Sequence, residues 1–213
     1  MHFLNRAHAG KELAKALSAY SQTPDTIILG LPRGGVPIAY EIARALSLPF
    51  DILLVRKLGV PGHEELAMGA IAEGNILYIN QDIISSLQIP HTAIEGAIVR
   101  ETQELKRRSQ LYRSGRPSPN LKGMTVIIVD DGLATGATMH AAVMALKQTD
   151  IKKVVVAVPV GAVDTIRKME DIADKVICLF TPDPFYGVGN WYNDFSQTTD
   201  QEVQELLTLN SDK

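Results

Sequence analysis

The stretch from Val126 to Thr138, VIIVDDGLATGAT, constrains this chain more than any other, because it puts a buried strand, two adjacent carboxylates and a small-residue loop into thirteen positions. Val126-Ile127-Ile128-Val129 is a β-branched run bounded by Gly123 upstream and Asp130-Asp131-Gly132 downstream, the pattern of a strand covered on both faces in a parallel sheet. Asp130 and Asp131 then fall at the carboxyl end of that strand. The segment from Ala137 to Lys147 is rich in Ala, Met and Leu and predicts a helix. A loop of Ala134, Thr135, Gly136 and Ala137 ahead of it lets backbone N–H groups converge on an anion, helped by the helix dipole and by the Thr135 and Thr138 hydroxyls. The two acids upstream are placed to accept hydrogen bonds from vicinal hydroxyls, and such charge-assisted bonds are roughly twice as strong as neutral ones. Phosphate at one end and a diol at the other describe a sugar 5-phosphate. Neither the triphosphate loop G-x-x-x-x-G-K-[ST] nor the dinucleotide loop G-x-G-x-x-G is present. An acidic turn capping an ordinary helix would account for Asp-Asp-Gly alone, but not for the whole string.

A second unit of the same kind stands earlier in the chain. Thr26-Ile27-Ile28-Leu29 reads as a strand running into Gly30-Leu31-Pro32-Arg33-Gly34-Gly35, and Pro37 through Leu46 makes a helix with Pro in its first turn. The loop is glycine-rich and carries an arginine. Phe50 to Val55 predicts a third strand, which would deliver the adjacent cations Arg56 and Lys57 to the same carboxyl edge, where they would complement a diphosphate. Leu58 to Leu66 holds Gly59, Pro61 and Gly62 with little periodicity and predicts a mobile loop.

Further on, Gly69–Ala72 and Ile76–Ile79 predict a hairpin, Asn80 a cap for a short helix from Gln81 to Leu87, and His91–Arg113 a long polar helix in which Glu104 precedes Arg108 by four. A strand at Lys153–Val158, a helix at Val163–Ile172 and a strand around Cys178 complete an alternation that means a twisted parallel sheet with its ligand edge at the strand carboxyl ends. Phe180 to Phe195 gathers six of the chain's twelve aromatic residues among Pro and Gly, either as a latch packed on the sheet edge or as a hood over a planar ligand. Thr199 and Glu202 make a capping box for a last helix. At the other end, His8 to Tyr20 reads as a surface helix.

With 213 residues, 46% of them hydrophobic, the chain can bury a sizeable core without staples. A net charge of −3 offers no footprint for nucleic acid, and no apolar run is long enough to span a bilayer, so neither partner is expected. The first residues lack the apolar core of a signal peptide, which makes the cytoplasm the expected location. The single Cys178 lies in a strand-like run and reads as a buried, inert thiol. The five histidines show no metal-ligand spacing.

The central string resembles the phosphoribosyl pyrophosphate (PRPP) motif of type I phosphoribosyltransferases, and Leu133-Ala134-Thr135-Gly136 is especially similar to the adenine-specific members. The resemblance extends from about Thr26 to Phe195. It departs from the family at Gly132, where a larger apolar residue is usual, and at Ala134, where hypoxanthine-guanine enzymes carry an acidic base. Arg56-Lys57-x-Gly is again similar to the adenine enzymes, yet the Glu several of them use corresponds here to Ala67. The resemblance implies an α/β type I phosphoribosyltransferase fold: a Rossmann-like, mainly parallel sheet flanked by helices, with a flexible catalytic loop or hairpin and a C-terminal aromatic hood. It implies one domain over 1–213, with its core at about 26–180 and the hood and last helix at 180–213.

The implied reaction moves 5-phosphoribosyl from PRPP to a nitrogen acceptor with release of diphosphate. Asp130 and Asp131 would act on the ribose; Glu65, near but not aligned with the family's Glu, is a further catalytic candidate. The 5-phosphate would lie on Ala134, Thr135, Gly136, Ala137 and Thr138, and the diphosphate on Arg33, Gly34, Gly35, Arg56 and Lys57. The acceptor would stack on Phe185, Tyr186 or Trp191. Mg²⁺ would arrive with PRPP, held by its oxygens and by water rather than by dedicated protein ligands. The family's diphosphate loop further implies a cis peptide between Pro32 and Arg33. A PRPP-sensing regulator on the same fold and an enzyme with water as acceptor are the alternatives, and a homodimer is left open.

Overall fold

A computed structural model describes residues 2–209, apart from the side chain of Glu65. Five parallel strands form the main sheet in the order β2-β1-β6-β7-β8: β1 (Thr26–Gly30), β2 (Phe50–Ile52), β6 (Thr125–Val129), β7 (Lys153–Val160) and β8 (Lys175–Phe180). Between β2 and β6 the chain builds a separate antiparallel sheet from β3 (Val55–Val60), β4 (His63–Ala72) and β5 (Ile76–Ile79). The helices are α1 (Arg6–Ala16), α2 (Gly35–Leu46), α3 (Gln81–Ser86), α4 (His91–Arg113), α5 (Ala137–Leu146), α6 (Val163–Glu170) and α7 (Asp200–Leu209).

The central strands are apolar on both faces because both are covered. Side chains alternate across a strand, so Ile27, Leu29, Val126, Ile128, Val154 and Val156 pack with Met139, Ala142 and Val143 of α5 and Met169 of α6. On the opposite face Ile28, Ile127, Val129 and Val155 meet Leu13 of α1, Ile38 and Ile42 of α2, and Val203 of α7. Among the described residues, no helix is long and apolar enough to cross a membrane.

Chain direction makes the pair β1–β6 the topological switch point: from β1 the chain crosses outward to β2, and from β6 it crosses the other way to β7 and β8. In open α/β sheets, ligands bind beyond the strand carboxyl ends at such a point. Gly30 is in register with Val129, and the Leu31 N–H continues the pairing onto the Val129 carbonyl at 2.9 Å. The Leu31–Gly35 loop and the Asp130–Gly136 segment therefore leave the sheet side by side.

Two expectations change. The predicted strand Phe50–Val55 ends at Ile52, and Arg56 and Lys57 lie inside β3 of the smaller sheet instead of at the end of a core strand. The expected mobile loop Leu58–Leu66 is mostly a hairpin, whose β3 and β4 arms meet at Pro61-Gly62 and whose pairing shifts at Gly59. Leu58 and Val60 are buried on its inner face, which is why the segment pairs despite its breakers. The predicted hairpin at Gly69–Ile79, the Asn80 cap on Ile83 N–H, and the helix from His91 to Arg113 are all present. Thr199 Oγ1 accepts from Glu202 N–H at the start of α7.

Candidate active site

Asp130 and Asp131 follow β6 directly. The Asp131 N–H donates to Asp130 Oδ1 at 2.9 Å. Burial pushes the Asp130 carboxyl well above the ordinary carboxylate range, and the adjacent Asp131 charge pushes in the same direction. Asp131 is also raised by burial, against the pull of Arg6.

Arg6 is the site residue that sequence reasoning missed. Its Nε and Nη2 both donate to Asp131 Oδ2, at 3.0 and 2.8 Å, while Nη1 donates to the Ser196 carbonyl at 2.6 Å and the guanidinium lies 4.1 Å from the Phe195 ring centre. One signal for it was available. Arg6 opens α1 straight after its Asn5 cap, with no acidic residue in that turn, and a cation at a helix N-terminus opposes the dipole. Such a residue is held there by something else. Tyr192 closes the same corner, donating from its hydroxyl to the Asp131 carbonyl at 2.7 Å.

The glycine pair explains how close the two loops come. A methyl group on Gly34 would overlap the Asp131 carboxylate, and one on Gly35 would overlap the Val129 carbonyl. Any larger residue would push the first loop off the acidic pair. The Pro32–Arg33 peptide is cis, as the resemblance implies. Arg33 lies between the site and α7, with Nη1 at 3.7 Å from Asp200 Oδ1, the atom that also accepts from the Tyr112 hydroxyl at 2.6 Å. Gly132, the departure from the family motif, is required locally, since a Cβ there would come within 2.7 Å of Val188 in the hood segment.

Beyond the acids, Ala134, Thr135 and Thr138 are exposed and Ala137 is half-buried, while Gly136 takes a left-handed conformation (φ 72°) that turns the chain into α5. Thr165 Oγ1 of α6 donates to the Ala134 carbonyl at 2.6 Å and fixes the loop from beneath. The loop's amides are thus presented at a helix N-terminus, the arrangement that holds phosphate.

Arg56 and Lys57, although on a different sheet from the one expected, still border this region. They line a cavity of about 990 Å³ together with Leu31, Pro32 and Thr138. Arg56 Nε donates to Glu101 Oε2 of α4 at 2.7 Å. Glu65 belongs to β4, but its side chain lies outside the described residues.

The proposed acceptor rings do not form one wall. Tyr186 is 77% exposed, Phe185 is half-buried, and Trp191 packs edge-on to Phe180 at 5.0 Å and near His2 at 5.4 Å. None of the three lines the cavity beside Arg56 and Lys57. The segment also works as a latch on the amino-terminal arm: Phe3 is fully buried against Tyr192, and its N–H donates to the Trp191 carbonyl at 2.8 Å. Cys178 is half-buried, and burial pushes its thiol up to about 11, which disfavours the thiolate.

A family model described as a phosphoribosyl transferase domain matches residues 3–189. A Mycobacterium tuberculosis protein provisionally named a phosphoribosyl transferase is 43% identical over 205 residues, covering 96% of this chain and 46% of that protein. The chain thus spans about half the length of the curated relatives it matches. A crystal structure of a Thermus thermophilus protein superimposes with a TM-score of 0.88 at 40% identity, over 97% of this chain and 98% of that one. The family match runs from the buried Phe3 through the acidic pair to the hood, and it makes this chain a member of the phosphoribosyl transferase domain family.

Proposed function

We propose that the protein transfers 5-phosphoribosyl from PRPP to a nitrogen acceptor and releases diphosphate. The observation that carries this reading is the junction at the switch point, where an acidic pair with one arginine partner adjoins a loop of largely exposed residues at the start of α5. The bond from ribose C1 to the diphosphate oxygen breaks, and its electron pair leaves with diphosphate. The acceptor nitrogen's lone pair makes the new bond to C1, and a nitrogen that carried a proton loses it. Positive charge builds on the ribose ring as the bond breaks, and Asp130 and Asp131 would hold the ribose hydroxyls and stabilise that charge.

The amides and hydroxyls of Thr135 to Thr138 would hold the 5-phosphate. Arg33, the Gly34 and Gly35 amides, Arg56 and Lys57 would hold the diphosphate. Mg²⁺ would be carried in by PRPP, held by its oxygens and by water, and would supply positive charge against the diphosphate. Asp130 and Asp131 at the end of β6 offer hard carboxylate oxygens of the kind Mg²⁺ takes, directly or through water. A cavity of about 990 Å³ next to these residues leaves room for a second substrate, which favours transfer over sensing alone.

The reading is tested with PRPP and Mg²⁺ by thermal shift and by diphosphate release across a panel of nitrogen heterocycles. A ligand that binds only the folded chain stabilises it by about 2.7 kcal/mol at a hundredfold excess over Kd and so raises its melting temperature. No shift at millimolar PRPP would sink it.

A further inference from the structure

The cavity beside Arg56 and Lys57 is larger than the role given to it so far. At about 990 Å³ it stands at the upper end of what a drug-sized ligand occupies, so a diphosphate at one end leaves most of it for another molecule. Its far wall is α4. Among the described residues, the charged lining is Arg56, Lys57, Arg100 and Arg108 against Glu64 and Glu101, an excess of cations in a chain whose net charge is −3.

The four arginines of α4 separate by partner. Arg107 and Arg108 both donate to Glu104 at 2.8 Å, and Arg113 is fully engaged with Asp51 and Glu73. Arg100, among the described residues, has neither a hydrogen bond nor an ion pair. It is an exposed side chain on the wall of the cavity. Helical side chains lean toward the preceding turn, and Arg100 does so over Gly96, where an added Cβ would be 3.9 Å from its Nη1 and would meet nothing else. Thr92, Gly96 and Arg100 recur every four residues and so share one face of α4, and all three line the cavity. A small-residue floor thus leaves space open beneath a guanidinium that lacks an anion.

Resting on the transferase reading above, we propose that this cavity binds an acceptor bearing a negative group, a carboxylate or phosphate, and that Arg100 is the residue that reads it. A planar guanidinium suits either anion, because its N–H groups match two oxygens at once. The hood then serves as the latch that its packing against Phe3 describes, rather than as the acceptor platform.

The test uses the whole chain with Mg²⁺ and pairs of heterocycles that differ in one carboxylate: nicotinate against nicotinamide, and orotate against uracil. Binding is read by calorimetry in the presence of PRPP and in its absence, and turnover by diphosphate release. The proposal expects the carboxylates to bind and their carboxylate-free partners to fail. Arg100→Gln should weaken the carboxylates about 10- to 100-fold, the effect of losing a charged hydrogen bond, and leave PRPP within about twofold. Arg100→Lys should recover part of the loss. Equal binding of charged and uncharged partners, or carboxylate affinity indifferent to Arg100→Gln, would overturn it. So would binding of neither class, or an acceptor that responds to Tyr186→Ala and not to Arg100→Gln. If PRPP itself fails to bind while the carboxylates still bind through Arg100, the transferase reading falls and the anion cavity stands.

Discussion

Two places in this molecule crowd a pair of carboxylates against one arginine, and they resolve the crowding in opposite ways. At the end of α4 the buried Arg113 gives Nη1 to both oxygens of Asp51, Nε to Glu73 and Nη2 to the Ile52 carbonyl. Every face of the guanidinium is matched, and the cluster ties β2, the β4–β5 turn and α4 into one piece. At the switch point Arg6 reaches only Asp131, spends Nη1 on the Ser196 carbonyl and leaves Asp130, among the described residues, without a cation. The first cluster is saturated and has nothing left to offer a ligand. The second leaves Asp130, among the described residues, without an ion pair of its own, and a ligand bringing hydroxyls would complete it.

The widest gap between the two clusters should appear when each arginine is removed. Arg113→Gln leaves two carboxylates without their partner in a buried site, a change that typically costs about 3–5 kcal/mol. For a chain of this size that is a fall of roughly 6–20 °C in melting temperature. If calorimetry found Arg113→Gln within about 2 °C of the parent, the saturated cluster would not be a structural staple and the comparison would fail at its first term.

Asp130→Asn should act the other way round. It removes a charge-assisted acceptor for a ribose hydroxyl, so PRPP affinity should drop about 10- to 100-fold while the fold persists. Isothermal titration of PRPP with Mg²⁺ decides it. Unchanged affinity would make Asp130 a structural residue like Asp51.

How much of this was legible follows from how local each feature is. The string Val126–Thr138 could be read because strand, acids, loop and helix follow one another without a gap, and the structure keeps their order. The α4 helix was legible end to end from its polar periodicity. The change of sheet after Ile52 was not, because Ile52-Leu53-Leu54-Val55 is a continuous apolar run and nothing in it marks where one strand stops and another begins. The β3–β4 hairpin was hidden by its own glycines and proline, which read as loop until buried Leu58 and Val60 show what the arms pack on. Arg6 and Asp131 are 125 residues apart, so no window on the sequence contains both. Tyr192 stood inside the aromatic segment, but the target of its hydroxyl depends on where the segment folds back.

Arg6 sharpens the comparison from inside the candidate site. Arg6→Gln should lower PRPP affinity about 3- to 10-fold, less than loss of Asp130, because it removes the orientation of Asp131 rather than a ligand contact. Arg6→Lys should recover little, since a point charge cannot reproduce the Nε and Nη2 fork. With no cation beside Asp131, proton loss from the pair becomes harder, so the pH at which PRPP binds half-maximally should move up. A purely structural role for Arg6 would lower the melting temperature and leave that pH unmoved.

The smallest effect expected is also the most direct measure of under-compensation. Because burial and the Asp131 charge raise the Asp130 carboxyl, the native state holds that proton more tightly than the unfolded chain does. The stability this contributes is fully present below the unfolded pKa of about 3.9 and is lost as pH rises through the raised native value. Asn at that position carries no such ionisation. The ligand-free Asp130→Asn protein should therefore gain melting temperature over its parent as pH is raised from 5 to 8, by about 2–4 °C if the repulsion amounts to about 1 kcal/mol. The gain should be larger in an Arg6→Gln background, where neither carboxylate has a cation. A difference that stays flat with pH in both backgrounds would mean that the pair is already neutralised by its surroundings and differs from the Arg113 cluster only in position.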